Sequence, residues 1–379
     1  MTGHAFLAPS GAPRWGPGGC PASAGLEAQF PEDEESEEAR EGTAAHFYLT
    51  ETLAGRTVNV GDLAPNGFPI DATMIDAAGD YLDDVRGTLA APHNQVPSVV
   101  FAIEERVFMH GLVHPQNDGT PDTFFVNLQT RTGFVWDYKY GHRYVDPFEN
   151  WQCLDYLVGI MERVGIPPSG WGEWTFHVTI AQPRNYHPDG PLRLWTLSGT
   201  QLAHYAARLR EAAGLATSPD PEYRTGEHCR DCKGRHACAA LQRSAMALVD
   251  VAGRNPPVIM TPEAAGLELL IIRAAMKRLG ARATGLEEQV MAFIAGRQSV
   301  PHWGMEHSKG RERWTLPVDE VIAMGDLLGV PLAKPTAITP NQARAAGLDP
   351  DLVRSISEIP SGGLALVPVT DNDIAKRFS

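Results

Sequence analysis

The sequence has few cysteines and no long apolar run, and each shortage removes a class of protein. Five cysteines among 379 residues are an odd count, poorly suited to a disulfide framework, and thiols that stay reduced in cytosol are expected. No stretch reaches the roughly 20 apolar residues that a membrane helix needs, so no membrane partner is expected. The N-terminus lacks a basic segment followed by an apolar stretch, so the expectation is a cytoplasmic protein rather than a secreted one. Positive charge is also scarce. Thirty-two Lys and Arg face 46 Asp and Glu, a formal net charge of −14, which at first argues against a nucleic-acid partner. That deficit is uneven. Seven acids between Glu32 and Glu41 face Arg40 alone, whereas bases gather at Arg224, Arg230, Lys233, Arg235 and Arg243 and again at Lys309, Arg311 and Arg313. A locally basic groove and scattered solvated charge both remain open.

What is present is an ordinary globular composition, 43% hydrophobic and 21% charged, long enough for one elaborated domain or two smaller ones. Residues 1–35 read as a Gly/Pro-rich and then acidic lead-in. Ser36 is placed as an N-cap, with Glu37, Glu38 and Glu41 in the first turns of a helix running to about Leu53. Met74, Ile75, Ala78, Leu82 and Val85 recur at helical spacing within 71–88. Short β-branched and aromatic runs then predict strands over 98–109, 123–128, 133–140 and 174–181. Helices are expected over 147–164 and over 199–214, the latter capped by Ser198 or Thr200 and stopped near Gly214. The order fits an α/β fold, a mixed sheet flanked by helices. Helical periodicity dominates 262–297. Residues 298–379 are Gly/Pro-punctuated, with a polar turn at 308–313 and a short helix at 340–347. The expected organisation is a lead-in at 1–35, a core at 36–248 and a mostly helical extension at 249–379, with no internal repeat.

Chemistry concentrates at Gly119-Thr120-Pro121-Asp122 and, fourteen residues on, Trp136-Asp137-Tyr138-Lys139-Tyr140-Gly141. Asp137 and Lys139 lie two apart on an expected strand, so both side chains leave one face. If the two strands form a hairpin, Asp122 returns beside Asp137. Two carboxylates beside one ammonium are costly as pure structure and suit a Mg²⁺ or Mn²⁺ site, because hard cations select oxygen ligands. An Asp-x-Lys tripeptide alone reads more readily as a surface salt bridge, because the tripeptide is common. His46, on the first long helix with the small Gly42 one turn earlier, can add an imidazole ligand or be a hydrogen-bonded core histidine. Gln152 and Tyr156, four apart on the helix after the Asp–Lys strand, share one face.

In this order, His46, Asp122, Asp137-x-Lys139 and Gln152-x3-Tyr156 resemble the RecB-like branch of the PD-(D/E)XK nucleases. The resemblance extends to a phage-encoded family of uncharacterised recombination nucleases, many of which open with a Trp-x4-Cys-Pro segment, here Trp15 to Cys20-Pro21. It implies a restriction-endonuclease-like fold, with His46, Asp122 and Asp137 as metal ligands and Lys139 as the catalytic lysine. Gln152 and Tyr156 match the family's helix motif. Pro121 stands where relatives usually carry a small residue, so the loop before Asp122 departs from the family pattern. The activity implied is a metal-dependent DNA exonuclease that processes ends for phage recombination or replication in a bacterial host cell, often partnered with a single-strand annealing protein. The alternatives are a structure-specific endonuclease and a catalytically idle DNA-binding accessory. The Lys309–Trp314 stretch could contact DNA or be an exposed turn.

Three cysteines cluster as Cys229-x2-Cys232-x5-Cys238, a spacing that suggests a metal or cluster site. With Cys20 as fourth thiolate, the layout resembles the iron–sulfur staple of AddB-type nucleases, which implies a [4Fe–4S] cluster. Structural zinc held by Cys229, Cys232, Cys238 and His236 is the alternative. Cys153 reads as a buried packing thiol.

Overall fold

The computed structural model describes residues 5–30, 36–185, 187, 190–252, 261–305 and 323. The turn expected at 308–313, the Lys309–Trp314 stretch and the short helix at 340–347 lie outside the described residues. Up to Phe293 the described chain belongs to one compact unit, and a second begins at Ile294.

Two short helices, α1 (Ala12–Trp15) and α2 (Ser23–Glu27), precede the long α3 (Glu37–Leu53) and α4 (Ala72–Ala90). Ser36 caps α3, its hydroxyl accepting from the Ala39 amide at 3.2 Å, and Asp71 caps α4 through the Met74 amide at 2.8 Å. Each side chain satisfies a first-turn N–H that the helix itself leaves open. The strands follow as β1 (Val99–Ile103), β2 (Val107–Phe108), β3 (Asp118–Gly119), β4 (Thr123–Asn127) and β5 (Thr132–Tyr138). Next come α5 (Trp151–Arg163), β6 (Thr175–Ala181), β7 (Leu192–Ser198), α6 (Gly199–Ala216), α7 (Ala239–Ala252) and α8 (Pro262–Ala295).

Five strands form one sheet in the order β1-β4-β5-β6-β7. All neighbours are antiparallel except β5 and β6, which run parallel. Parallel neighbours need a crossover, and α5 supplies it. One face carries Phe124, Val126, Val135 and Val178 against Leu154, Leu157 and Met161 of α5 and Leu202 and Leu209 of α6. The other carries Phe125, Trp136 and Tyr138 against Leu49 of α3 and Met74, Ala78 and Leu82 of α4. Alternation along β4 and β5 thus feeds two cores, and the sheet is a mixed α/β layer covered on both faces, as expected. The C-terminal part of the described chain is helical, also as expected. Among the described residues, no helix is long and apolar enough to cross a membrane.

Four local expectations are corrected. The run 98–109 is two strands, because the chain turns at Glu104, whose φ is +49°. The helix expected from 147 begins at Trp151, where the Asn150 side chain caps it by accepting from the Cys153 amide. Ser198 caps α6 in a reciprocal box with Gln201, but the helix runs through Gly214 to Ala216; its buried Ala212, Ala213 and Ala216 hold the last turn against the core. Strand β7 was not expected at all, although Arg193, Trp195 and Leu197 alternate inward along it. Close packing also shows in α5, where a side chain at Gly159 would run into Met109 Sδ.

Candidate active site

Strand register builds the site. Ile103 pairs with Thr123 and Thr123 with Trp136, so Glu104, Asp122 and Asp137 occupy one level across the ends of β1, β4 and β5. The Glu104 amide donates to the Asp122 carbonyl at 3.0 Å. The Asp122 carboxylate accepts the Tyr138 amide at 2.6 Å, which sets it directly beside the Asp137–Lys139 pair. His46 reaches in from α3, its Nδ1 3.4 Å from Asp122 Oδ1. Ligand atoms of His46, Glu104 and Asp122 all lie within 4.8 Å of one another.

The second part of the site is buried beneath α5. Asp137 is 2% exposed. Its Oδ1 accepts from Lys139 Nζ at 2.9 Å and from Gln152 Nε2 at 3.1 Å. Its Oδ2 lies 2.8 Å from Lys139 Nζ, yet makes no well-angled hydrogen bond. Gln152 Oε1 accepts from Lys139 at 3.3 Å, and its amide nitrogen reaches the Tyr156 hydroxyl at 3.5 Å. One helical turn separates Gln152 from Tyr156, so both can bear on the pair at once.

Charge and burial compete at each group. Burial opposes the His46 imidazolium, but the charge and hydrogen bond of Asp122 outweigh it and raise the pKa. Burial likewise disfavours the Asp122 carboxylate, but His46, Lys139 and the Tyr138 amide together lower its pKa. For Asp137, burial prevails over Lys139, and the neighbouring Asp122 adds to the rise. Burial works against the Lys139 ammonium and is overcome by the two aspartates, which raise its pKa. Glu104 is pushed up to about 7 by burial of its carboxyl and then by the charge of Asp122, although the residue as a whole remains exposed. This distribution is that of a site short of positive charge.

These residues fit a divalent cation. The His46 imidazole and the carboxylates of Glu104 and Asp122 stand within ligand reach of one another, beside the buried Asp137–Lys139 pair. The donor set is oxygen-rich with one imidazole, which suits Mg²⁺- or Mn²⁺-type ions. The structure therefore brings together all six residues singled out in the sequence: His46, Asp122, Asp137, Lys139, Gln152 and Tyr156. Glu104 was missed. Its signal was present as an acidic pair, Glu104-Glu105, inside a run read as continuous strand.

His46, Glu104, Tyr138 and Lys139 open on a cleft of about 510 Å³ between α3 and the segment 140–145. Gln182, 1% exposed, fixes that segment. Its amide nitrogen donates to the Gly141 carbonyl at 2.9 Å and to that of Arg143, and its oxygen accepts the Val145 amide at 3.1 Å.

Cys20, Cys229, Cys232 and Cys238 line one small cavity. The turn that delivers Cys20 is tight, since a side chain at Gly19 would run into the Arg14 carbonyl. Sulfurs of Cys20, Cys229 and Cys238 accept the amides of Arg224, Gly226 and Leu241 at 3.3–3.4 Å. Among the described residues, no three of these sulfurs lie within 4.8 Å of one another. A tetrahedral zinc with Zn–S bonds of about 2.3 Å would draw them to roughly 3.8 Å. His228 lines the cavity, whereas the His236 ring packs edge-on against Phe30 with centroids 4.4 Å apart. Cys153 is fully buried on α5.

The profile of a family described as a protein of unknown function (DUF2800) matches residues 4–323, and the chain belongs to that family. Comparison with curated proteins gives no match.

Proposed function

We propose that this chain is a divalent-metal-dependent DNA nuclease of the RecB-like PD-(D/E)XK type, an exonuclease that processes DNA ends in phage recombination or replication. The observation that carries the reading is that His46, Glu104 and Asp122 stand within ligand reach of one another beside the buried Asp137–Lys139 pair. A Mg²⁺ or Mn²⁺ ion held by His46, Asp122 and Asp137, with Glu104 as a further donor, would acidify a water and draw charge from a scissile phosphate. Lys139, salt-bridged to Asp137, is in place to orient that water and to donate to the phosphoryl oxygens as their charge grows. Gln152 holds both partners of the pair, and Tyr156 backs Gln152. Three charges this demanding have no physical reason to persist in an idle accessory protein.

The four cysteines are proposed to hold a [4Fe–4S] cluster, with structural zinc as the alternative. What supports a shared site is that all four cysteines line one cavity, and the preference for the cluster over zinc rests on the family resemblance. Protein purified without oxygen should be brown, with broad absorbance near roughly 400 nm; colourless protein with stoichiometric zinc would reverse the assignment. DNA is the expected partner, with a single-strand annealing protein beside it in the cytoplasm of a bacterial host.

Digestion of linear and covalently closed circular DNA in Mg²⁺ or Mn²⁺ tests the reading. Loss of linear DNA alone supports an exonuclease, and cutting of closed circles replaces it with an endonuclease. Digestion undiminished in Lys139→Ala removes the site assignment altogether.

A further inference from the structure

Two hydrogen-bond donors stand idle on the wall of the cysteine cavity. Ser23 lines it beside Cys20, Cys232 and Cys238 and is 2% exposed, yet its hydroxyl has no hydrogen-bond partner. The Ser23 amide donates to the Cys20 carbonyl at 2.9 Å, which ties this residue to the turn that delivers Cys20. Arg235 lines the same cavity. Its Nη1 donates to the Arg230 and Cys232 carbonyls at 2.7 and 3.3 Å, and its Nη2 pairs with Glu288 of α8. Its Nε is buried and has no hydrogen-bond partner. His228, also on this wall, is already engaged, with Nε2 3.0 Å from the Arg224 carbonyl. A buried donor left unpaired costs stability, so two of them on one wall mark where an acceptor belongs. Inorganic sulfide supplies such acceptors, and a bare zinc ion does not.

We infer that Ser23 Oγ and Arg235 Nε donate to the sulfurs of the cluster held by the four cysteines and hold its reduction potential up. Four thiolates leave a [4Fe–4S] centre anionic in both oxidation states, and the added electron makes the reduced form the better acceptor. An aimed hydroxyl and a fixed guanidinium stabilise that form more than the oxidised one, so both raise the potential. Ser23 and Arg235 are thus positioning residues for a centre that takes up an electron reversibly, beyond its role as a staple. The couple is [4Fe–4S]²⁺ plus one electron giving [4Fe–4S]⁺; a low-potential one-electron carrier supplies the electron, and no bond is made or broken. This inference rests on the iron–sulfur assignment and is independent of the nuclease chemistry.

The test is a dithionite titration of the full chain purified without oxygen, followed by visible absorbance and electron paramagnetic resonance against redox dyes. Iron and acid-labile sulfide are counted in every sample. Wild type should take up a single electron per cluster. Ser23→Ala and Arg235→Gln should keep their iron and each lower the potential by up to about 59 mV, the equivalent of a tenfold change in the ratio of a one-electron couple. Arg230 is exposed and does not line the cavity, so Arg230→Gln should shift the potential far less. Should Arg235→Gln fail to fold, Ser23→Ala, which removes a single oxygen, still decides. Iron-loaded wild type that dithionite does not reduce overturns the inference and leaves the cluster standing. So do loss of iron from Ser23→Ala, unchanged potentials in both variants, and a shift in Arg230→Gln as large as that in Arg235→Gln. Wild type carrying zinc in place of iron overturns both.

Discussion

The two halves of the site are built differently. Asp137, Lys139, Gln152 and Tyr156 come from one strand end and one helix, lie against the α5 core and hold one another by hydrogen bonds. His46, Glu104 and Asp122 come from three separate elements and converge at the mouth of the cleft, where Glu104 remains exposed. The first half is preorganised by packing and keeps its geometry unaided. Carboxylates crowd together in the second half, and only His46 among its three members can carry the opposing charge. A site whose one half is rigid and whose other half is short of positive charge is set up for an ion to complete.

The largest effect belongs to the half packed against α5. Lys139→Ala should reduce DNA digestion by at least roughly 10²- to 10³-fold, the scale for losing one aimed donor in a closed site. The same change leaves Asp137 buried beside no cation, which is costly unless it takes up a proton. Melting curves should therefore show a deficit for Lys139→Ala that is larger at pH 8 than at pH 5. Equal deficits at both pH values would mean that Asp137 is not sealed.

In the open half the effect should fall on metal affinity first. Asp122→Asn should weaken Mn²⁺ binding by roughly 100-fold, and Glu104→Gln by about tenfold or less, because Glu104 is the more exposed donor. Titration calorimetry on the full chain separates the two. A larger loss from Glu104→Gln than from Asp122→Asn would reverse the ranking and make the left-handed turn at Glu104 the true centre of the site. Gln152→Ala should lower the cleavage rate by a few-fold to tenfold and weaken Mn²⁺ binding less than Asp122→Asn does, since its amide touches Lys139, Asp137 and Tyr156 but none of His46, Glu104 and Asp122. A loss of Mn²⁺ affinity as large as that of Asp122→Asn would show that the two halves are not separable.

This contrast also marks what could be read from the sequence. Asp137-x-Lys139 and Gln152-x3-Tyr156 are local patterns, and the periods of a strand and a helix carry them directly into shared faces. Asp122 was reachable because a hairpin of short loop returns the chain to a predictable neighbour. Glu104 was not, because its role depends on β1 ending at that residue, and nothing in Ile103-Glu104-Glu105 announces a positive φ. Strand β7 was lost for a related reason. Its inward residues include Arg193, and its outward ones include Leu194 at 61% exposure, so the polarity alternation that should reveal a strand is blurred. Gly214 misled because a glycine near a helix end usually stops it, whereas buried alanines on both sides carry α6 onward. The four cysteines were grouped from spacing and resemblance, and the fold brings Cys20 to the same cavity as the other three. Their relative distances, which bear on the choice of metal, are tertiary and leave no trace in spacing.

The smallest effect lies one turn behind the site and runs opposite to the others. Asp155 on α5 is fully buried, and burial, only partly offset by the Asn117 hydrogen bond, pushes its pKa well above the usual carboxylate range. The Asn117 amide nitrogen lies 2.9 and 3.0 Å from its two oxygens, while Asn117 Oδ1, also buried, has no hydrogen-bond partner. A carboxyl with a raised folded pKa stabilises the fold fully only below its unfolded pKa of about 3.9, and loses that contribution as pH rises toward the folded value. Each pH unit in that window removes at most about 1.4 kcal/mol. Asparagine at this position stays neutral at every pH; its NH₂ can donate to the idle Asn117 oxygen while its carbonyl oxygen accepts from the Asn117 nitrogen. Asp155→Asn should therefore melt higher than wild type at pH 7, by a few degrees, with the gain shrinking toward zero as pH approaches 4. A gain independent of pH would show that better pairing alone is responsible. A loss at pH 7 would show that Asp155 is held ionised, and that the packing under Tyr156 tolerates a charge that its burial argues against.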